Sequence, residues 1–532
     1  MASQKSMALF LGIIVTFCSS LNEMYFTASE LKDLVSFERD IGAEFLAYYQ
    51  RETARLDRLE WFLNDVEMLH NRGLTKDIVI SNPPDSYKLL KRFLTDWKDL
   101  DWIRTSEESL RHFEVLTHYQ KGITGFKESN ELRGSHLLLF RLQDTYKLSV
   151  SEMVSGLRQP AHELSYDDIH DIAMYANHFW MFQHGIEWAS YVTRQFENLE
   201  VADDLTLGQY TRLSDIYDII SWGNFKLRNY SEAIKASKKA LKLDRTGKRA
   251  IKRKENIGWY ESYLVSGIHP EGTVEPSNED PLNRTLQEKR CRREEILDQE
   301  YVDTLFCKYH TPHPQFYLKP LKQERVYHEP RIDLYHGILS DFEVDHIKES
   351  ARMKLHFAQV YDVDTGKLRV AEYRTSKNTW LHPYNDSVVA RVINRVGALG
   401  NLDMTYSEPL QVANYGIGGN YEAHYDFAEP PHDSSIFGAY DFGNRIATML
   451  FYFETVERGG DTTFIKVRPG ISTSAVKGSG VFWHNLKKNG EGDFETKHAA
   501  CPVLLGEKWV SNLWIHEHGQ EFRHPCSLNP DE

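Results

Sequence analysis

Long apolar segments are nearly absent from this 532-residue sequence, whereas a membrane-spanning helix needs about 20 consecutive apolar residues. The longest apolar stretch, MALFLGIIVTF, lies near the N-terminus and is only about 11 residues long, too short to span. It follows Lys5 and precedes the small residues CSS, which is the order of a secretory signal peptide. We therefore expect residues 1–20 to be a signal peptide and the rest of the chain to lack a membrane span.

Cysteine is also scarce, and no C-x-x-C pair is present, which disfavours a four-cysteine zinc site. Cys18 would leave with the signal peptide, so four cysteines remain. An even number in an oxidising compartment predicts two disulfides. We expect local pairing, Cys291 with Cys307 and Cys501 with Cys526, although the sequence itself leaves all three connectivities open.

Basic charge is in deficit, since the formal net charge is −14, and this disfavours a nucleic-acid partner. The one basic cluster, KASKKALKLDRTGKRAIKRK, has helical spacing and is typical of a solvated helix face.

Asn229, Asn283 and Asn385 begin N-x-S/T sequons, so we expect them to be glycosylation sites in the secretory pathway. The C-terminal SLNPDE is not a retention signal of the Lys-Asp-Glu-Leu type, so another component would have to hold the chain in the endoplasmic reticulum.

The first half of the mature chain has helical patterns. Residues 21–150 form one predicted helical domain, in which Tyr49, Leu56 and Leu63 recur every seven residues. This repeat fits either a dimerisation helix or two ordinary amphipathic helices packed on each other.

Residues 151–262 form a second predicted helical domain, because NYSEAIKASKKALKLD matches the second helix of a tetratricopeptide-type repeat. Its aromatic residues either line a groove for a proline-rich peptide or belong to the core. The candidate groove residues are Trp180, Phe182, Trp222 and Phe225. Residues 263–330, rich in proline and charge, are a predicted linker with a probable disulfide.

From residue 331 to 532 the pattern changes to short β-runs separated by glycine turns, as in NRIATMLFYF and EKWVSNLWIHEH. We expect an all-β double-stranded β-helix, or jelly roll. The predicted fold class is therefore a multidomain protein with an all-α first half followed by this β domain.

Histidine and carboxylate stand two residues apart in YEAHYDF, at His424 and Asp426. Chance alone predicts roughly three such triplets in a chain of this composition, and the sequence has three, so the spacing alone proves nothing. On a strand, however, residues i and i+2 face the same way, and His498 on a later strand could complete a two-histidine, one-carboxylate site. That ligand set, with one face of the metal open, is typical of non-haem Fe(II) oxygenases.

Lys508 follows His498 by ten residues, and alternation places it on one strand face with Trp514. A lysine pointing into a barrel is unfavourable unless an anion meets it, and a dicarboxylate cosubstrate would supply one. Taken alone, Lys508 also fits a surface lysine.

These motifs resemble those of the 2-oxoglutarate-dependent dioxygenases of the prolyl 4-hydroxylase group. The closer resemblance is to the catalytic alpha subunits of collagen prolyl 4-hydroxylase, carried by QVANYGIGGNYEAHYDF, GNRIATMLFYF and NGEGDFETKHAACPVLLGEKWVSNLWIHEHGQEFR in that order. It extends more loosely over the first half. Trp222 and Phe225 fall where the family has groove tyrosines, and GGDTTFIKV lacks a proline that the family usually has after the phenylalanine.

The resemblance implies a role for each matched residue. His424, Asp426 and His498 would be iron ligands, and Lys508 would bind the far carboxylate of 2-oxoglutarate. Tyr415 and Thr462 would add hydrogen bonds to this cosubstrate. The substrate proline would be lined by Tyr421, Arg445 and Trp514.

The implied reaction is procollagen-proline 4-hydroxylation in X-Pro-Gly repeats, with Fe(II), O2 and L-ascorbate, and with 2-oxoglutarate converted to succinate and CO2. The implied assembly is an α2β2 tetramer in the endoplasmic reticulum lumen, containing an alpha–alpha dimer and protein disulfide isomerase as the beta subunit. Two other functions stay open at this point. One is a collagen-binding scaffold without turnover, and the other is a zinc hydrolase with the same three ligands, which would not need Lys508.

Overall fold

The computed structural model describes residues 28–70, 128–157, 164–197, 207–244, 247–273, 282–294, 298–362, 367–370, 374–428 and 442–529. The predicted signal peptide lies outside these ranges. Among the helices within them, none is both long enough and apolar enough to span a membrane. The chain divides into two compact units, residues 1–22 with 30–130 and residues 23–29 with 131–532.

Helix α1, Ala28–His70, is the main described element of the first unit and continues without interruption for 43 residues. The predicted seven-residue repeat therefore lies on a single helix. Tyr49, Leu56 and Leu63 are 67%, 53% and 51% exposed. These apolar side chains are exposed, and the choice between a dimerisation helix and packing of two helices stays a prediction.

The helices of the second unit start with α2, which contributes Phe140 to a core containing Ile169, Trp188 and Ile216. Serine N-caps begin two of these helices, each in a capping box: Ser149 with Glu152, and Ser165 with Asp168. The helices are α2 Glu128–Tyr146, α3 Val150–Ser155, α4 Tyr166–His178, α5 Phe182–Glu197, α6 Leu207–Lys226, α7 Tyr230–Leu243 and α8 Gly247–Ser266. Successive helices pack on each other, in the manner predicted for tetratricopeptide-like pairs.

The β domain carries four further helices and seventeen strands within the described residues. The helices are α9 Leu282–Cys291, α10 Gln299–Val302, α11 Asp341–Arg352 and α12 Ser387–Gly400. The strands are β1 Cys307–His310, β2 Leu321–Tyr327, β3 Ile332–His336, β4 His356–Phe357, β5 Gln359–Asp362, β6 Lys367–Val370, β7 Lys377–Leu381, β8 Leu410–Tyr415, β9 Tyr421–His424, β10 Arg445–Tyr452, β11 Arg458–Gly459, β12 Thr462–Phe464, β13 Ile471–Thr473, β14 Gly480–His484, β15 His498–Ala500, β16 Val503–Leu505 and β17 Lys508–His516.

Two antiparallel sheets face each other in this domain, which agrees with the predicted jelly roll. The larger sheet is ordered β1-β2-β3-β14-β10-β17-β8-β7-β4, and the smaller one β13-β12-β15-β9. Alternation divides β10 between two cores: Met449 and Phe451 pack toward α11 and α12, whereas Leu450 and Tyr452 face the smaller sheet. The space between the sheets is where side chains from both can meet.

The predicted linker needs correcting, because its second half belongs to the β domain. Strands β1 and β2, which lie before residue 330, pair at the edge of the larger sheet. Helix α9 is also fixed to this domain, since Arg290 donates hydrogen bonds to the backbone oxygens of Phe464 and Val467. The other domain boundaries remain predictions.

The predicted disulfide pairing is wrong: Cys291 bonds to Cys501, 210 residues away in sequence. Because α9 is anchored on the smaller sheet, its last residue lies beside the end of β15 rather than beside Cys307. Cys307 and Cys526 are exposed and not disulfide-bonded.

Helix α2 joins the helical region to the β domain. Tyr146 donates a 2.5 Å hydrogen bond to the backbone oxygen of Pro502. Arg141 donates to the hydroxyl of Thr375 and to the backbone oxygen of Gly418. The loop that leads into β9 is therefore held from the helical side.

Candidate active site

Strands β9 and β15 bring three ligating groups together in the space between the sheets. His424 lies directly opposite His498 in the antiparallel register, and the strand β9 ends there, two residues before Asp426. The Nε2 atoms of His424 and His498 are 3.8 and 3.7 Å from the Asp426 carboxylate. One ligating atom from each residue lies within 4.8 Å of the others, a spacing that suits a metal ion.

Both histidines are oriented through their other ring nitrogen. The Nδ1 atom of His424 donates to the backbone oxygen of Glu422 at 2.7 Å, and that of His498 donates to the backbone oxygen of Thr496 at 3.1 Å. A proton on Nδ1 leaves the Nε2 lone pair facing the other ligands. Each imidazole is thus fixed in the tautomer that binds a metal.

The Asp426 carboxylate is held by a polar pair buried under it. Thr448 on β10 donates to its Oδ2 atom at 2.8 Å, and Asn485 in turn donates to the Thr448 hydroxyl at 2.9 Å. Thr448 and Asn485 are completely buried. This pair fixes the carboxylate orientation, and no motif in the sequence points to either residue.

The protonation states also favour metal binding. Burial, helped by the neighbouring His498, lowers the pKa of His424 to about 3, so its imidazole is neutral at physiological pH. Burial by itself would raise the pKa of Asp426, but the two histidines, Arg445 and the Thr448 hydrogen bond outweigh it and lower that pKa. A neutral imidazole beside an ionised carboxylate is the form that coordinates a cation.

Lys508 lies in the same space with an unpaired charge. It is 1% exposed, and its amine has no hydrogen-bond partner in the part of the chain that the structure describes. Its ammonium lies 5.6 Å from the ring centre of Tyr415 and 6.0 Å from that of Tyr452. Burial lowers the pKa of Lys508 to about 8, opposed only partly by Asp461. An unpaired buried ammonium is unfavourable, and an anion would satisfy it.

Both predicted cosubstrate residues are buried in this domain, and Tyr415 lies beside the amine. Tyr415 is buried opposite Lys508 on the neighbouring strand β8. Thr462 is buried on β12, two residues before Phe464, whose ring lies 5.8 Å from that of His498. Strand β12 therefore carries Thr462 and also contacts the metal-ligand group through Phe464.

The residues predicted to line the substrate lie on the other sides of the triad. Tyr421 stacks on the His424 ring at 3.6 Å. The Arg445 guanidinium lies 3.9 Å over the ring of Trp514, and it donates to the backbone oxygen of Asp426 at 3.4 Å. The Trp514 indole nitrogen is buried without a hydrogen-bond partner among the described residues.

Arg445 is positioned by a buried carboxylate that the sequence analysis also missed. Glu408 accepts a 2.6 Å hydrogen bond from Arg445 and contacts His516 at 3.2 Å. Burial would raise the pKa of Glu408, but Arg445 and His516 outweigh it and keep the pKa low. No spacing rule in the sequence points to Glu408, since it comes from a loop that precedes β8.

The four predicted groove aromatics lie in the helical region and differ in exposure. Trp180 and Trp222 are 58% and 45% exposed, whereas Phe182 is buried, as the core alternative predicts. Phe225 is half-buried and stacks on Tyr260 at 4.7 Å. Of the sequon residues, Asn229 and Asn385 are exposed, and Asn283 lies in α9 with its side chain outside the described set.

Comparison with known proteins identifies similar sequences over the whole chain. The sequence profile for the prolyl 4-hydroxylase alpha-subunit N-terminal region matches residues 27–159, and that for the 2OG-Fe(II) oxygenase superfamily matches residues 410–516. The chain is 34% identical to prolyl 4-hydroxylase subunit alpha-1 of Rattus norvegicus, covering 98% of both chains. It is also 34% identical to the subunit of the same name of Caenorhabditis elegans, covering 99% of this chain and 94% of that one.

Solved structures are similar over a smaller part of the chain. One of them is the crystal structure of a viral collagen prolyl hydroxylase from Paramecium Bursaria Chlorella virus-1 in its 2OG complex. The match is 26% identical and covers 34% of this chain and 94% of that chain, with a TM-score of 0.28.

Proposed function

The chain belongs to the family of prolyl 4-hydroxylase alpha subunits, and from that membership we propose that its substrate is proline in X-Pro-Gly repeats of collagen-like chains. It is a 2-oxoglutarate- and Fe(II)-dependent dioxygenase that hydroxylates proline at carbon 4. The observation that supports this function most directly is the meeting of His424, Asp426 and His498 in the domain that also buries the unpaired ammonium of Lys508.

The residues present fit an iron(II) ion. Two neutral imidazole nitrogens and one carboxylate are the donor set of non-haem iron oxygenases, and they leave coordination positions open. We therefore assign His424, Asp426 and His498 as the iron ligands. Thr448 and the backbone oxygens of Glu422 and Thr496 hold these ligands in place.

The surroundings of Lys508 fit the far carboxylate of 2-oxoglutarate. The amine is buried and unpaired among the described residues, so an anion that enters gains a charge-assisted hydrogen bond worth about 1.5–3 kcal/mol. Tyr415 lies beside the amine, and Thr462 has a buried hydroxyl without a hydrogen-bond partner among the described residues; we propose that both would donate to that carboxylate. This pairing would hold the cosubstrate at its far carboxylate and leave its keto acid end for the iron.

Iron(II), 2-oxoglutarate and dioxygen together supply the oxidant for the hydroxylation, with succinate and CO2 as products, and L-ascorbate keeps the iron reduced. The chain's own residues position the proline and shield it from water. Tyr421, Arg445 and Trp514 border the ligand group, and Glu408 fixes the Arg445 guanidinium. We propose that the substrate ring lies against Trp514 and Tyr421, with the indole N–H of Trp514 free to donate to a peptide carbonyl.

The rest of the chain would serve substrate binding and assembly. We propose that residues 151–262 bind the proline-rich peptide through Trp180, Trp222 and Phe225. The exposed repeat on α1 would pair with a second copy to give the alpha–alpha dimer of an α2β2 tetramer. Protein disulfide isomerase would be its beta subunit and would retain the assembly in the endoplasmic reticulum lumen.

Succinate release with a (Pro-Pro-Gly) repeat peptide tests the function. Purified protein with Fe(II), ascorbate and 2-oxoglutarate should release succinate in step with 4-hydroxyproline, and the Asp426→Ala variant should release none with the peptide present. A scaffold without turnover and a zinc hydrolase would both release no succinate. The absence of succinate would therefore contradict the proposal.

A further inference from the structure

The exposed tryptophans of the helical region form one surface with a lysine between them. Trp180, from the α4–α5 turn, and Trp222, from α6, lie on either side of Lys226. The Lys226 ammonium is 5.1 Å from the ring centre of Trp180 and 4.8 Å from that of Trp222. We call this set the Trp180–Trp222 surface. It is the part of the proposed peptide site that is most exposed to solvent.

The chain's own residues 267–273, GIHPEGT, lie along this surface, and we call them the strap. The Lys226 ammonium donates to the backbone oxygen of Gly272 at 2.9 Å. A Cβ atom at position 272 would lie 3.7 Å from the Trp180 indole, so the strap passes close to the tryptophan.

Side chains at the two ends of the strap hold it in place. The Nδ1 atom of His269 forms a 3.0 Å hydrogen bond with the Tyr230 hydroxyl. The Thr273 hydroxyl accepts a 3.2 Å hydrogen bond from the Arg228 guanidinium. The Thr273 hydroxyl and amide also bond back to the backbone oxygen of Pro270, which closes a turn. A proline-containing turn is thus seated where a proline-rich peptide would bind.

The backbone around the strap is strained. Trp180 and Arg228 have φ angles of +64° and +60°. Positive φ angles are uncommon for residues other than glycine, above all for bulky ones. Such conformations persist where the surrounding structure holds them in place, and they are frequent at ligand sites. The strap itself is held lightly, because His269 and Gly272 remain exposed to solvent.

We propose that the strap is an internal competitor for the Trp180–Trp222 surface. Its His-Pro-Glu-Gly sequence has one residue between proline and glycine, unlike X-Pro-Gly, but it contains both and presents a glycine carbonyl to Lys226. A substrate peptide binds fully only after the strap has left. This inference rests on the proposed peptide-binding role of the surface. The apparent dissociation constant for peptide is then the intrinsic one divided by the fraction of molecules with the strap open.

The test is calorimetric titration of a (Pro-Pro-Gly) repeat peptide into the full-length protein and two variants. The double variant His269→Ala with Thr273→Ala removes both strap side-chain contacts and leaves the tryptophans and Lys226 unchanged. It should bind peptide roughly three- to tenfold more tightly than the unmodified chain. Ile268→Ala is the matched control, since Ile268 lies in the same strap but is 66% exposed, and its affinity should be unchanged.

Amide hydrogen exchange gives a second measurement on the unmodified protein. The Thr273 amide, bonded to the Pro270 oxygen, should exchange faster when peptide is saturating, because the strap has been displaced. Equal affinity in the double variant and the unmodified chain, or unchanged exchange at Thr273 under saturating peptide, would overturn the proposal.

Succinate release measured in parallel separates this inference from the enzymatic one. Normal turnover with unchanged peptide affinity overturns only the strap, whereas no turnover in any of the three proteins overturns the proposed function.

Discussion

Replacing Lys508 by methionine, which has a similar length and no charge, should stabilise the empty protein. Burial lowers the pKa of this lysine from 10.5 to about 8. At about 1.36 kcal/mol per pKa unit, holding the charged amine in the empty site at neutral pH costs about 3 kcal/mol. The Lys508→Met variant should therefore unfold at higher denaturant than the unmodified chain by up to that amount at pH 7.

The sign of this effect sets its pH dependence. The folded state loses the lysine proton at a lower pH than the unfolded state, so the penalty is complete below pH 8 and disappears as the pH approaches 10.5. The stability advantage of Lys508→Met should therefore shrink across that window. Chemical unfolding at pH 7 and pH 10, in the absence of iron and 2-oxoglutarate, measures it. Lys466→Met, at an exposed lysine of the same domain, is the control and should show little change.

The same substitution should impair cosubstrate binding. Losing a charge-assisted contact of about 1.5–3 kcal/mol raises the 2-oxoglutarate concentration needed for half-maximal succinate release by roughly ten- to a hundredfold. A variant that is more stable when empty and weaker for 2-oxoglutarate would show that Lys508 is kept for its ligand. An unchanged 2-oxoglutarate requirement, together with no gain in stability, would refute the assignment.

Three other predictions follow from neighbouring contacts. In the unmodified protein, 2-oxoglutarate affinity should decline above pH 8 as Lys508 loses its proton, and an affinity that stays flat to pH 9.5 would contradict this. Thr448→Val removes the hydroxyl that donates to Asp426, so it should raise the iron(II) dissociation constant about tenfold or more in a direct metal titration. An unchanged dissociation constant would show that this hydroxyl does not support metal binding. Cys501→Ser should lower the free energy of unfolding by about 2–5 kcal/mol, whereas Cys307→Ser, at an exposed and unbonded cysteine, should change it little; equal effects would contradict the observed pairing.

The metal-ligand group could be predicted from the sequence because strand geometry limits where its members can lie. Alternation predicted that His424 and Asp426 share one strand face, but β9 ends at His424, and the bend that follows the strand brings Asp426 to the group. The antiparallel register of β9 and β15 then sets His498 directly opposite His424. Alternation likewise predicted that Lys508 and Trp514 share a face, and both side chains are buried.

The disulfide could not be predicted from spacing, because it depends on where α9 lies in the fold. Two buried hydrogen bonds from Arg290 seat that helix on the smaller sheet, and Cys291 follows it there. The buried partners of the site were missed for a similar reason. Thr448 and Glu408 reach the site through packing between elements far apart in sequence, and neither stands in a recognisable spacing with a ligand.

A crystal structure of the full-length protein with manganese(II) as a redox-inert substitute for iron, and with 2-oxoglutarate, would test the central assignment most directly. We expect one metal ion coordinated by the Nε2 atoms of His424 and His498 and by an Asp426 oxygen. We also expect the far carboxylate of 2-oxoglutarate within hydrogen-bond distance of the Lys508 amine. A metal bound elsewhere, or a cosubstrate carboxylate that does not contact Lys508, would contradict the proposed site.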